Sequence, residues 1–161
     1  MRGEAARKRP EAPHGVLALR RGVFVTLERG GALRGCLGRI TGDRPLGEIV
    51  PAMARAAALE DPRFPPVAPE ELHELRVEIS VLTTLQLLTS SAVGSIVLGR
   101  DGLLVRRRQR SGLLLPQVAP EHGWTTEQFL DATCNKAGLP AKAWREPGTE
   151  ILTFQADVFA E

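Results

Sequence analysis

The sequence has 161 residues, a formal net charge of +2 and 43% hydrophobic residues, so it is long enough for one folded domain with its own hydrophobic core. No apolar run is long enough to cross a bilayer, and the basic first nine residues lead into Pro10 and Pro13 rather than into an apolar signal segment. These features exclude a membrane-spanning protein and predict a soluble, cytoplasmic one.

The first fifteen residues are rich in charges and prolines, so residues 1–15 are predicted to form a flexible tail. The remainder, residues 16–161, is predicted to be a single domain. Its predicted strands and helices do not alternate regularly along the chain. This pattern favours an α+β domain with antiparallel strands over a doubly wound parallel sheet.

A β-hairpin is predicted near the start of the domain. Across residues 23–27 the side chains alternate in the period of a strand. Gly30 and Gly31 supply the residues of a turn, and a second strand follows over residues 33–40. Cys36 is therefore predicted to lie in the returning strand or at its end.

The hairpin is followed by helical and then extended segments. A helix is predicted to begin at Pro45 and to end at the Asp-Pro pair of residues 61–62, because its apolar residues recur at i, i+3, i+4 and i+7. A short helix is predicted over residues 69–75. Residues 77–81 then alternate as a strand, with Glu78 on the face opposite the apolar side chains.

A second hairpin is predicted to pair residues 95–99 with residues 103–106, because an Asp-Gly step at Asp101 between apolar runs is typical of a tight turn. Four arginines in residues 106–110 mark a further turn. They lack aromatic neighbours, and the net charge is small, so a solvated hairpin tip is favoured over a nucleic-acid site. Residues 112–116 begin another strand.

The last third of the chain carries a clear helix signal. Thr125 and Gln128 match a capping box, and Gly138 stands at the position that ends the helix. Cys134, inside this helix, is predicted to be a buried packing thiol. Residues 152–158 alternate and are predicted to form one final strand.

The six residues 33–38 (LRGCLG) place a cysteine among glycines, which is the unusual chemical feature of this sequence. Cys36 lies between Gly35 and Gly38, so we expect at least one of these glycines to have a positive φ or a backbone atom packed too close for alanine. The cation of Arg34 favours a thiolate if the two side chains meet. The alternative is a packing thiol, since free cysteine is often simply buried.

The remaining composition argues against cofactors. Cys36 and Cys134 are far apart and have no CxxC or His-rich neighbour, which argues against a disulfide framework and a zinc site. No cofactor motif is present, so none is expected. Arginine far outnumbers lysine and tyrosine is absent, which we attribute to GC-rich coding in a bacterium.

The motif of residues 33–38 and several others resemble the AMMECR domain family, in the family's order, over residues 22 to 161. The further motifs are 22–27 (GVFVTL), 61–64 (DPRF), 77–82 (VEISVL), 99–103 (GRDGL), 112–119 (GLLLPQVA), 123–124 (GW), 136–139 (KAGL) and Trp144. The resemblance implies a two-lobed α+β fold, an antiparallel sheet flanked by helices, with Cys36 near the cleft between the lobes. The family has no generally accepted reaction.

The first functional hypothesis is a module that binds a small anionic ligand or a peptide, with Cys36 only lining the groove. The candidate ligand-binding residues are Arg34, Gly35, Gly38, Asp61, Arg63, Glu78 and Gln117. The resemblance also implies partners, because such bacterial proteins resemble a component encoded beside, or fused to, a Memo-like dioxygenase and a radical-SAM enzyme.

The second hypothesis is a cysteine-dependent enzyme. Cys36 would be the catalytic nucleophile, Arg34 would stabilise the thiolate or an oxyanion, and Glu78 or His122 would move protons. Nucleophilic cysteines need a base held beside them, and no such base is evident from the spacing. The sequence therefore favours the binding module, and nucleic-acid binding ranks last.

Overall fold

Two antiparallel sheets organise the chain, and the computed structural model describes residues 15–161. The strands of the first sheet are β1 (Val23–Arg29), β2 (Ala32–Arg39), β3 (Leu75–Leu82) and β8 (Ala156–Ala160), in the order β2-β1-β3-β8. The strands of the second sheet are β4 (Gln86–Leu88), β5 (Gly102–Arg107), β6 (Arg110–Leu114) and β7 (Glu150–Phe154), in the order β4-β7-β5-β6.

Helices cover one face of each sheet. The α-helices are α1 (Leu46–Leu59), α2 (Val118–His122) and α3 (Thr126–Lys136), and short 3-10 helices lie at Gly15–Ala18, Pro69–Glu74, Ser90–Ser95 and Ala141–Arg145. We call the first sheet with α1 the first lobe, and the second sheet with α2 and α3 the second lobe. The expected α+β class is confirmed. None of the described helices is long and apolar enough to cross a membrane.

The predicted first hairpin is confirmed. Strand β1 pairs antiparallel with β2, and the turn between them uses Gly30 and Gly31 at φ 59° and 79°, a region that suits glycine. Val23 and Val25 are fully buried beneath α1, where they join the core with Ile49. The opposite face of the same sheet is left to face the second lobe.

The second lobe has its own core between β5, β7 and helix α3. Phe129 and Leu130 of α3 are fully buried and pack with Val105 of β5 and Ile151 of β7. Cys134 belongs to this core, as predicted, and burial raises the pKa of its thiol. A further cluster joins the two sheets, because Leu82 of β3 and Phe24 of β1 pack against Leu104, Leu113 and Phe154 of the second sheet. The cleft between the lobes borders this shared core.

The predicted capping box is confirmed. The backbone N–H of Gln128 donates to Thr125 Oγ1 at 3.3 Å, and the backbone N–H of Thr125 donates to Gln128 Oε1 at 2.9 Å. Gly138 follows the helix with φ 71°, the left-handed conformation expected there. The arginine-rich turn is also confirmed as a hairpin tip between β5 and β6, with Arg108 at φ 55°.

The predicted hairpin of residues 95–99 with 103–106 is wrong. The first segment is the end of a 3-10 helix followed by a turn, and β5 pairs with β6 and β7 instead. The Asp101 carboxylate turns back to accept the backbone N–H of Val97 at 2.8 Å, so this Asp closes a local turn and does not occupy a hairpin loop.

The single final strand is also wrong, because the chain breaks at Gln155 into two strands in different sheets. Thr83 and Gln155 form two hydrogen bonds at this point, since Thr83 N–H donates to the Gln155 carbonyl and Gln155 N–H donates to Thr83 Oγ1, each at 2.8 Å. The chain crosses between the lobes here. The tail predicted over residues 1–15 lies, apart from Gly15, outside the described residues.

Candidate functional site

A cleft of about 810 Å³ lies between the lobes, within the size range of small-molecule sites. Its first wall is the face of β1, β2 and β3 that α1 does not cover. Its second wall comes from the end of β6, the start of α2 and the end of α3. Apolar side chains on the two walls include Phe24, Leu33, Leu113, Leu115 and Val118.

Cys36, Thr26 and Glu78 form a row across the first wall. In the sheet register Thr26 of β1 lies opposite Cys36 of β2 on one side and opposite Glu78 of β3 on the other. The Thr26 hydroxyl donates to Cys36 Sγ at 3.3 Å. Two strand spacings separate the Cα atoms of Cys36 and Glu78 by about 10 Å, and no hydrogen bond joins their side chains among residues 15–161.

Asp61 fixes the backbone beside Cys36. Its carboxylate is buried, with the residue 4% exposed, and accepts the backbone N–H of Cys36 at 2.9 Å. It also accepts the backbone N–H of Arg63 at 3.0 Å and two guanidinium N–H groups at 3.0 and 2.7 Å. The Arg63 side-chain hydrogen bonds hold the pKa of Asp61 well below its usual range, against the effect of burial.

Arg63 is held by Asp61 but stays available to a ligand. Its side chain is 55% exposed, and its guanidinium also donates to the Cys36 carbonyl at 3.3 Å. The hydrogen bonds to Asp61 raise the pKa of Arg63, so the group is always charged. A cation with a fixed orientation therefore lies at the edge of the cleft.

A second cation reaches this place from the other lobe. Lys136, at the end of α3, lines the cleft and is close enough to interact electrostatically with Cys36 and Arg63. Burial lowers the pKa of Lys136. Arg63 and Lys136 thus place two basic side chains, one from each lobe, at the Cys36 end of the cleft.

The other end of the cleft is acidic. Gln117, at the start of α2, donates from its side-chain amide to Glu78 Oε1 at 3.3 Å, so one hydrogen bond connects the two walls. Glu121 of α2 lines this end together with Glu78 and Gln117. The electrostatic character therefore changes along the cleft from positive near Cys36 to negative near Glu78.

The expectation for the two glycines is confirmed through close packing, since neither has a positive φ. A Cβ on Gly35 would lie 2.2 Å from the Ala57 carbonyl oxygen of α1. A Cβ on Gly38 would lie 2.4 Å from the Val23 carbonyl oxygen and 2.5 Å from the Phe24 ring. Gly35 thus lets the motif strand approach α1, whereas Gly38 lies on the cleft side.

The role expected for Arg34 needs correction, because its side chain points away from the cleft. It donates two hydrogen bonds to Glu71, each at 2.9 Å, and a third to the Pro65 carbonyl at 3.0 Å. The guanidinium is 13% exposed and holds the pKa of Glu71 at about 2. Arg34 therefore ties the 3-10 helix Pro69–Glu74 to β2, and Gly35 packs against α1, so the structure places neither residue in the lining of the cleft.

His122 is not placed as a base for Cys36. Its Nδ1 lies 2.9 Å from the Val118 carbonyl oxygen, and its ring stacks on Trp124 with the centroids 4.4 Å apart. The residue does not line the cleft. Of the two acid-base candidates, Glu78 is therefore the one that faces the cleft.

Two site residues escaped the sequence interpretation. Thr26 could have been found, since the predicted hairpin register places it opposite Cys36. Lys136 had no such signal, because its sequence position indicated only a favourable charge at a helix C-terminus. Within residues 15–161 no group of three or more His, Cys, Asp or Glu side chains could hold a metal ion.

Comparisons with known proteins agree with this fold. The family model described as AMMECR1 matches residues 1–159. A protein of Methanothermobacter thermautotrophicus is 47% identical over 165 residues, covering 100% of this chain and 86% of that relative. Protein TK0174 of Thermococcus kodakarensis is 51% identical over 148 residues, covering 87% of this chain and 72% of that relative.

A solved structure is also similar. The crystal structure of uncharacterized protein PH0010 from Pyrococcus horikoshii superimposes with a TM-score of 0.89 at 45% identity, covering 94% of this chain and 79% of that chain. These relatives are archaeal, so they give no support to the bacterial source expected from composition.

Proposed function

This chain belongs to the AMMECR1 family, and on that premise we propose that it is a cytoplasmic binding module whose cleft takes an amphipathic ligand or peptide segment with an anionic group. The anionic group lies at the Arg63 and Lys136 end, and the apolar body lies against the leucine-rich second wall. Cys36 lines the site.

The proposal rests on one observation about Arg63. Two hydrogen bonds to buried Asp61 fix the orientation of its guanidinium, and yet the Arg63 side chain is 55% exposed at the cleft. A side chain that is already oriented loses less conformational entropy when it binds an anion. Lys136 adds a second cation from the opposite wall. Together the two groups recognise one anionic group without any covalent chemistry.

The apolar wall determines the chemical character that the remainder of the ligand needs. Leu113, Leu114 and Leu115 line the cleft together with Phe24. Burial of apolar ligand surface there contributes about 25 cal/mol for each Å². A ligand with an apolar body and one carboxylate thus satisfies both the wall and the two cations.

The test compares 4-phenylbutyrate with the neutral 4-phenylbutyramide by NMR titration of the protein. The proposal expects the acid to bind about tenfold more tightly than the amide, which is the scale of one charge-assisted hydrogen bond. Arg63→Gln should remove this preference. Arg100→Gln is the matched control, since Arg100 has the same exposure and the same kind of Asp partner outside the cleft.

Equal binding of acid and amide by the parent protein would overturn the proposal. So would a preference that survives in Arg63→Gln, or one that disappears equally in the Arg100 control. Chemical-shift changes should be confined to the cleft residues, Thr26 and Cys36 included.

A cysteine-dependent enzyme remains the second candidate, because one observation favours it. The Thr26 hydroxyl donates to Cys36 Sγ, and two cations lie nearby, and both kinds of interaction stabilise a thiolate. Against it stands the position of the acid-base candidates, since Glu78 lies two strands away and His122 lies outside the cleft.

Alkylation by iodoacetamide between pH 6 and pH 9 separates the two candidates. A lining thiol should react at a modest rate that rises with pH. A catalytic thiolate should react quickly and independently of pH above 7. Cys134 is the internal control, because it is fully buried and its pKa is raised.

The partners are part of the proposal and rest on the family resemblance alone. We propose that the module acts with a Memo-like dioxygenase and a radical-SAM enzyme. Co-purification of the tagged chain with each purified partner is the test. If neither protein is retained at micromolar concentration, the proposal of these partners is wrong, whereas the proposal for the cleft is unaffected.

A further inference from the structure

A second polar cavity, of about 550 Å³, lies where the chain crosses between the two sheets, and we propose that it binds a small molecule through a phosphate group. It is lined by Arg21, Arg100 and several hydroxyl and amide side chains. It does not share a lining residue with the Cys36 cleft. The inference is therefore independent of the function proposed for that cleft.

Arg100 supplies the first fixed cation of this cavity. Its Nε and one Nη donate to the Asp101 carboxylate, each at 2.8 Å, and the side chain is 55% exposed. Asp101 is buried and also accepts the backbone N–H of Val97, so its oxygens are occupied. The remaining Nη of Arg100 has no partner among residues 15–161 and is free to donate to a ligand.

Arg21 supplies the second cation from the other lobe. It is half-buried, and within the described part of the chain its side chain forms no ion pair or hydrogen bond. The backbone of Arg21 packs closely against Gly42, since a Cβ on Gly42 would lie 2.5 Å from the Arg21 backbone nitrogen. The carbonyl of the next residue, Gly22, accepts the Leu82 N–H at 2.8 Å. These two contacts hold the backbone from which the Arg21 side chain extends. A half-buried guanidinium that has no partner among residues 15–161 can bind an anion through charge-assisted hydrogen bonds.

The chemistry of the lining favours phosphate over carboxylate. Two guanidinium groups on different lobes offer more donors than the two oxygens of a carboxylate accept, whereas a phosphate presents three or four oxygens in a tetrahedron. Thr84, Gln86 and Ser95 add neutral donors for the rest of the ligand. The single acidic lining residue, Asp101, is already paired, so the cavity is net positive.

The test is calorimetric titration with inorganic pyrophosphate at low ionic strength, where charge interactions are little screened. Arg21→Gln and Arg100→Gln should each weaken binding by about tenfold or more, since each removes charge-assisted hydrogen bonds. Arg106→Gln is the matched control, because Arg106 is also an exposed arginine paired with a carboxylate and lines neither cavity, so it should bind pyrophosphate like the parent. Arg21→Gln breaks no described contact, so its loss is not explained by unfolding.

Three results would overturn the inference. The first is no pyrophosphate binding by the parent at millimolar concentration. The second is equal weakening in Arg106→Gln, which would indicate only general attraction by positive charge. The third is succinate bound as tightly as pyrophosphate, which would replace phosphate by carboxylate as the recognised group. None of these results would change the phenylbutyrate experiment on the Cys36 cleft.

Discussion

The pair Asp61 with Arg63 and the pair Asp101 with Arg100 are the same local arrangement in the two lobes. In each, a buried carboxylate accepts a backbone N–H, from Cys36 at 2.9 Å or from Val97 at 2.8 Å. Each carboxylate also binds the guanidinium of an adjacent arginine that is 55% exposed. Both arginines are thereby presented to solvent in a fixed orientation.

The two pairs differ in what they connect. Asp61 joins the loop after α1 to β2, 25 positions away in sequence, whereas Asp101 bonds a residue 4 positions away. The first pair therefore builds a wall of the cleft, and the second closes a turn. The surroundings then set the ligand: Arg63 faces Lys136 and an apolar wall, and Arg100 faces Arg21 and hydroxyl groups.

The largest expected effect follows from this difference. Asp61→Ala should lower the free energy of unfolding by about 3 kcal/mol, because it leaves the Cys36 N–H unsatisfied and releases β2 from the loop. Asp101→Ala should cost about half as much, since only a local turn is lost. Urea denaturation measures the free energy of unfolding of both variants. Equal losses of stability would show that the long-range connection made by Asp61 stabilises the fold no more than the local turn does.

A smaller effect is expected in the pH dependence of stability. Both carboxylates have a lowered pKa in the folded protein, Asp61 by more than Asp101, so their stabilisation is complete above pH 4 and is lost as the pH falls below it. Between pH 6 and pH 2 the parent should lose about 2 kcal/mol through Asp61. Asp61→Asn should lack this part of the loss.

The measurement is the free energy of unfolding of the parent, Asp61→Asn and Asp101→Asn at pH 6, 4, 3 and about 2. The free energy of unfolding should depend less steeply on pH in Asp61→Asn than in Asp101→Asn. The same slope in all three proteins would mean that neither carboxylate is linked to acid unfolding in the way described.

The smallest effect comes from a purely local contact. Thr125→Ala should cost about 1 kcal/mol, because it removes the side-chain acceptor of the Gln128 N–H. Thr126→Ala, one position later in the helix, is the control and should cost less. Thermal unfolding compares the two, and a parent-like melting temperature for Thr125→Ala would contradict the role of the capping box.

Much of the fold could be predicted because its signals are local. The Gly30 and Gly31 turn and the Thr125 capping box depend on a few adjacent residues, and both were identified correctly. The failures came where a side chain or the second sheet decided the outcome. Asp101 bonds back to Val97 instead of forming a hairpin, and Gln155 splits one alternating run between two sheets.

The site was predictable only in part for the same reason. The family resemblance singled out Asp61, Arg63, Glu78 and Gln117, and the structure brings them to the same cleft as Cys36. Arg34 lies two residues before Cys36, so regular strand alternation would place both side chains on one face. The register shift between β1 and β2 at this point and the hydrogen bonds to Glu71 direct Arg34 elsewhere. The contribution of Lys136 depends on how the two lobes pack, which no short stretch of sequence encodes.

The most direct test of the central claim, that Arg63 and not Cys36 determines binding in the cleft, is the Kd of 4-phenylbutyrate for Cys36→Ser and for Arg63→Gln. The account predicts a Kd within about twofold of the parent for Cys36→Ser and about tenfold weaker binding for Arg63→Gln. Binding that is lost in Cys36→Ser and unchanged in Arg63→Gln would contradict the account.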